Sequence, residues 1–138
     1  MLKLKVVTPD SVLVDEVVSS VTLPTTSGMI TVLTKHVPIV STIKAGEMII
    51  KKGETGIGFA VYKGLVNVRP HRKGITEVVV MLESADKIEG LDMVKIEEAL
   101  KRAEEMKEEK EEDLDFGRIE STIERELNRF KIARKYRR

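Results

Sequence analysis

The stretch that decides the fold runs Ile75-Thr-Glu-Val-Val-Val-Met-Leu-Glu-Ser-Ala-Asp-Lys-Ile-Glu-Gly-Leu-Asp-Met-Val-Lys-Ile96. Its opening, Ile75 to Leu82, is rich in β-branched residues, which suit a pleated, packed surface. The near-continuous apolar run predicts a strand covered on both faces. Past Ser84-Ala85 the pattern changes. Leu91, Ile96, Ala99, Leu100, Ala103 and Met106 recur at intervals of about three to four, the spacing of one helix face. A unit boundary therefore falls near Ser84-Ala85, dividing residues 1–84 from residues 85–138.

Composition changes at the same place. Residues 1–84 hold ten basic and seven acidic side chains, all four prolines and seven of the nine glycines. Residues 85–138 hold 14 basic and 16 acidic side chains, no proline, and only Gly90 and Gly117. On the first side, turn residues punctuate the chain about every ten positions, as in short strands joined by tight turns. Leu2-Lys-Leu-Lys-Val6 alternates, so one face is buried and the other wet. Many short strands at this spacing predict an antiparallel sandwich or barrel.

The second side predicts two helices. In the later one Phe116, Ile119, Ile123, Leu127, Phe130 and Ala133 step by 3, 4, 4, 3 and 3, a narrow apolar stripe. Between the stripes lies Lys107-Glu-Glu-Lys-Glu-Glu-Asp-Leu-Asp115. Asp113 or Asp115 is placed to cap the second helix, and the surrounding glutamates are expected to face solvent. Lys131, Arg134, Lys135, Arg137 and Arg138 suit the negative end of its dipole. The short connection predicts an antiparallel hairpin. Two thin stripes make a marginal core. The hairpin is therefore expected to dock on the β unit, on another chain, or on each in turn.

Catalytic chemistry is hard to place. The chain has no Cys, which removes disulfides, thiolate metal sites and a cysteine nucleophile. His36, in Thr34-Lys-His-Val-Pro38, reads as a backbone-bonding turn histidine, and His71 as an exposed loop residue; neither has companions for a metal site. Gly53-Glu-Thr-Gly-Ile-Gly58 lacks the spacing and following helix of a phosphate loop and reads as a hairpin turn. Asp113 and Asp115 read as helix caps before they read as an acid–base pair. The basic run from Arg129 to Arg138 offers a nucleic-acid contact, weighed against a solvated helix end or a protein contact. Net charge is +1, so bulk electrostatics favour neither nucleic acid nor an anionic membrane. The longest apolar run, Val78 to Leu82, is far short of the roughly 20 residues of a membrane-spanning helix. Met1-Leu-Lys-Leu-Lys5 has no signal-peptide core, so a reducing cytoplasmic compartment is expected. The residues alone describe an interaction or regulatory module, not an enzyme.

A resemblance extends this reading. Val6-Val-Thr-Pro-Asp10, Gly28 followed by His36-Val-Pro-Ile39, Ala45-Gly46, and Phe59-Ala-Val-Tyr-Lys-Gly-Leu-Val-Asn-Val68 are similar to the epsilon subunit family of bacterial F-type ATP synthase. The likeness continues in order through Glu83-Ser-Ala85, Leu91-Asp92, Asp113-Leu-Asp-Phe116 and Asn128-Arg129. Departures are local. Thr31 stands for a glycine, Thr34 for a proline, and Lys63 for the first of two glycines.

The resemblance implies an α+β protein: a ten-stranded N-terminal antiparallel β-sandwich followed by a C-terminal antiparallel α-helical hairpin. It implies a non-catalytic rotor subunit of the central stalk, peripheral on the cytoplasmic face of the bacterial cell membrane, with no membrane insertion. It would couple ion flow to ATP synthesis while bound to the gamma subunit and the c-subunit ring. The hairpin would extend to the alpha and beta subunits to inhibit ATP hydrolysis. Met29, Ile30 and His36 fall in the turn that would face the ring and gamma. No cofactor is required and no metal is expected, but some members bind regulatory ATP. The matching positions are Asp92, Arg102, Arg125 and Arg129, with Lys95 and Ile96 departing from the motif's Arg-Ala. The alternative is a free-standing adaptor or nucleic-acid-binding module using the basic tail. A small-molecule sensor or enzyme is a third class, opposed by the lack of a polar constellation.

Overall fold

A computed structural model of the chain describes residues 1–70, 72–109 and 116–136, with the side chains of 72, 107–109, 116 and 117 left out. The chain divides into two compact units, Met1–Lys87 and Ile88–Arg138. The break lies three residues past the change in composition because the last strand runs on to Lys87.

The first unit contains β1 (Leu2–Val7), β2 (Val12–Val18), β3 (Ser20–Thr25), β4 (Gly28–Val32), β5 (Ile39–Ile43), β6 (Gly46–Lys52), β7 (Thr55–Pro70) and β8 (Thr76–Lys87). β7 and β8 pair with each other along nearly their whole length. Residues 64–68 of β7 pair with β5, whereas residues 55–61 pair with β6. Residues 76–81 of β8 pair with β1, and β1 with β2. β3 links β6 to β4. The result is two layers, β2-β1-β8-β7-β5 and β8-β7-β6-β3-β4, which share the two long strands. Eight strands thus stand where the resemblance implied ten. Counting the halves of β7 and β8 separately gives five strands in each layer.

The strand pairs are antiparallel, as expected, with one exception among the described residues. β1 runs parallel to β8, in register Leu2↔Thr76 to Val7↔Met81. The Thr76 N–H donates to the Met1 carbonyl at 2.9 Å, which anchors the pair.

The sheet folds over along a line through Lys44-Ala45, Lys63 and Glu83, where the ladders are interrupted. Inward positions change parity across it, from Phe59 and Val61 to Val66 and Val68 in β7. Apolar side chains therefore keep pointing between the layers as the sheet turns. Lys63 takes φ 44°, the left-handed region that costs a non-glycine residue energy. Glycine, which the resemblance implies at this position, adopts that region without the cost. Gly64 follows, and a Cβ on it would run into the Met81 carbonyl oxygen and approach Leu82 Cα at 3.0 Å.

One core fills the space between the layers. Leu2, Leu4, Val6, Leu23, Ile43 and Met48 are fully buried within it. Each such side chain contributes about 1.5–3 kcal/mol relative to leaving it in water. The alternation expected for Leu2 to Val6 is present, with Lys3 and Lys5 exposed. β8 differs from expectation. Its inner face is buried, but Val79 is half-buried and Met81 is 44% exposed, so the strand is not covered on both faces. These positions lie on the outer surface of the first layer. The Gly53-Glu54 turn joins β6 to β7, with Lys52 opposite Thr55 and Gly53 at φ 63°.

The second unit contains α1 (Met93–Glu109) and α2 (Phe116–Lys135), which pack on each other. The connection, residues 110–115, is short enough that the helices pair as a hairpin. Asp113, Asp115, Glu111 and Glu112, together with His71, Arg137 and Arg138, lie outside the described residues. So do the side chains of Phe116, Glu108 and Glu109.

Replacing Gly64 with Ala is expected to lower the unfolding free energy of the sandwich by about 2–3 kcal/mol, because both obstructing groups are backbone. Urea titration of the G64A chain checks this. An unchanged midpoint would show that the fold line does not depend on the missing side chain.

Candidate functional site

Two places carry the residues singled out from the sequence. The first is the β3–β4 hairpin and the loop after it. The Thr25 hydroxyl donates to the Gly28 carbonyl at 2.6 Å and accepts from the Ser27 N–H at 3.2 Å. Gly28 supplies φ 113°, which a side chain would strain. The Thr26 N–H donates to the Thr42 carbonyl and the Lys44 N–H to the Pro24 carbonyl, which ties the hairpin to β5. The turn is therefore stiff. Met29 stands 58% exposed on it, whereas Ile30 packs against the core.

The loop from β4 to β5 turns at Lys35, φ 68°, whose N–H donates to the Thr76 hydroxyl at 2.7 Å. His36 Nδ1 lies 2.7 Å from the Val37 carbonyl oxygen. A carbonyl only accepts, so Nδ1 carries the proton. His36 thus holds its own turn. Leu33 and Val37 are exposed on the same loop, apolar groups that the sequence reading passed over.

The second place is the helical pair. Asp92 precedes α1, and its Oδ1 accepts from the Val94 N–H at 3.0 Å and the Lys95 N–H at 3.3 Å. That is an N-cap, which satisfies two amides with no partner inside the helix. Arg102 is exposed, and its Nε reaches back to the Glu98 carbonyl at 3.4 Å.

On α2 the buried face departs from the expected stripe. Leu127 is 40% exposed, and so is Met106 of α1 in large part. Ile119 and Ala133 of that stripe are buried, and Glu126 and Ile132, which lie off it, are buried with them. Ile119, Glu126 and Ala133 are seven apart, so the seam follows a heptad line through a glutamate. Counting only apolar residues drew the stripe through Leu127. The same seven-residue spacing, read without regard to polarity, would have found Glu126.

Glu126 is 5% exposed and accepts from Arg129 Nη1 at 2.6 Å. Arg125 Nε lies 3.8 Å from the same Oε1, beyond hydrogen-bond distance, and is buried with no hydrogen-bond partner. Two arginines and one carboxylate thus meet beside the helix seam. The structure brings Arg125 and Arg129 together around Glu126, and gives Asp92 and Arg102 separate local roles on α1.

The described residues contain no group of three or more His, Asp or Glu side chains able to hold a metal. Among them no helix is long and apolar enough to cross a membrane.

Residues 1–85 match the family model described as ATP synthase, Delta/Epsilon chain, beta-sandwich domain. The chain belongs to that family. An ATP synthase epsilon chain of Halalkalibacterium halodurans is 33% identical over 133 residues, 96% of each chain. That of Macrococcus caseolyticus is 32% identical over 136 residues, again 96% of each. A chain in the cryo-EM structure of the Euglena gracilis mitochondrial ATP synthase shares the fold. Its TM-score is 0.71 at 20% identity, over 98% of this chain and 81% of that one. The family member is a non-catalytic subunit of an ATP synthase.

Replacing Asp92 with Ala is expected to cost α1 about 1 kcal/mol, the usual worth of an N-cap. Thermal unfolding of the D92A chain, followed by far-ultraviolet circular dichroism at the helical wavelength, checks it. Unchanged melting would remove the capping role.

Proposed function

We propose that this subunit works at the foot of the rotor, on the cytoplasmic face of a bacterial membrane. The sandwich binds the gamma subunit and the c-subunit ring and couples ion flow to ATP synthesis. The helical hairpin restrains ATP hydrolysis by extending toward the alpha and beta subunits. The observation that carries this reading is the division into two units, each with its own buried residues, in a chain that aligns with epsilon chains nearly end to end. A sandwich with a complete core leaves the helices free to rearrange without unfolding it.

Met29 supports the ring contact, since an apolar side chain held in water by a stiff turn has more to gain at an interface. Ile30 contributes from below by holding the turn on the core, and His36 by fixing the neighbouring loop. The exposed Lys131, Arg134 and Lys135 at the end of α2 suit acidic surfaces of the catalytic head. No cofactor is needed for the rotor role. ATP is proposed as a regulatory ligand of the helical pair, held by the guanidinium groups of Arg125 and Arg129, with Arg102 and Asp92 of α1 as the further positions of the resembling motif. The buried Arg125 Nε without a partner supports an anion at this place.

Removing residues 89–138 is expected to leave a subunit that folds, assembles and supports ATP synthesis, while ATP hydrolysis by the assembled enzyme rises several-fold. Hydrolysis assays on reconstituted enzyme measure it, and equal inhibition by the shortened chain would end the hairpin reading. A cysteine placed by M29C is expected to cross-link to a c subunit in the assembled enzyme. If M29C fails where control cysteines on other faces succeed, the turn does not face the ring.

A further inference from the structure

Glu126 is an unusual residue for a helix seam. It sits where an apolar side chain would serve packing better, and its carboxylate lies against two guanidinium groups. A carboxylate taken out of water is costly unless its charge is matched. Here the match is uneven. Arg129 Nη1 makes a short, charge-assisted hydrogen bond to Oε1, whereas Arg125 Nε stops 3.8 Å from that oxygen and is buried without a hydrogen bond. One carboxylate is shared between two cations and satisfies only one of these donors. A larger anion with several oxygens could satisfy both.

We propose that Glu126 is the resident anion of this arginine pair: it occupies the place a phosphate oxygen would take, and sets the affinity of the helical pair for polyphosphates by competing with them. The proposal rests on the reading of the pair as a nucleotide-binding place and adds what controls it. An incoming triphosphate must displace the Glu126 carboxylate from Arg129 before it can form paired N–H···O bonds. Displacement leaves a negative charge beside the bound phosphates, which weakens binding further. The wild-type chain is therefore a weak binder because of one side chain, with the arginines already in place. The recognised chemistry is the phosphate chain, so ATP and inorganic tripolyphosphate should respond alike to changes at residue 126.

The test uses the full chain and titration calorimetry with ATP and with tripolyphosphate, on wild type, E126Q and E126D. E126Q keeps the shape and removes the charge. E126D keeps the charge and shortens its reach toward Arg129. E126Q is expected to bind both ligands at least about ten-fold more tightly than wild type, in keeping with the loss of a charge-assisted competitor. E126D is expected to fall between. Tight binding by E126Q that is abolished in E126Q/R129Q completes the expected result.

Equal affinity of wild type and E126Q for both ligands would overturn the proposal while leaving nucleotide binding intact. No binding by any folded variant would overturn it together with the nucleotide reading. A gain for ATP but none for tripolyphosphate would also overturn it, since recognition would then rest on the base or sugar. Loss of helical circular dichroism in both variants would make Glu126 a structural counter-ion and overturn the proposal as well.

Discussion

β7 and β8 belong to both layers of the sandwich at once, and that arrangement depends on how closely their backbones approach at Gly64. There β7 lies against the Met81 carbonyl and Leu82 Cα, with no room for a side chain. Just before it, Lys63 turns through the left-handed region. On either side of this point the two strands change partners, β5 for β6 and β1 for none. The layers are therefore two ends of one folded sheet, and the core closes between them because inward parity changes at the same line.

The helical unit rests on a different balance. Its buried surface is small, and a charged group occupies the middle of the seam line between Ile119 and Ala133. Breaking a buried pair by removing one member costs more than the pair contributes when whole. The seam is thus specific in how it closes without being strongly held shut. The sandwich is built the opposite way, with aliphatic side chains interlocked and no ionised group among its described buried residues. The two units thus hold their buried residues by different means.

Much of this was legible in the residues. The alternation of Leu2 to Val6 put the right face inward, and the change of pattern after Ser84 separated strands from helices to within three residues. The parallel β1–β8 pair was not legible, because alternation fixes the face of a strand and not its direction. The outward exposure of Met81 was hidden in a run of valines, where inner and outer faces have the same composition. At the turn, Met29 and Ile30 are adjacent and equally apolar, and strand parity alone decides which meets the core. Glu126 escaped because the stripe was drawn through apolar residues alone. Its two arginine neighbours were the only sign that its charge could be met inside, and they had been read for a ligand instead.

The parallel pairing of β1 with β8 places the first strand beside the last. Between them lie some seventy residues that must fold before the first strand has its neighbour. On a ribosome, Leu2, Leu4 and Val6 would leave the exit tunnel long before Val78 and Val80 are made. β1 can find β2 early, since they are joined by a short turn, but that hairpin has no core to rest on until the end of the unit emerges. Closing so long a loop makes the final step slow compared with local hairpins. The helices are made afterwards, and their own pairing is local and fast. The sandwich thus cannot close until its last strand has been made, whatever its first strands have already formed.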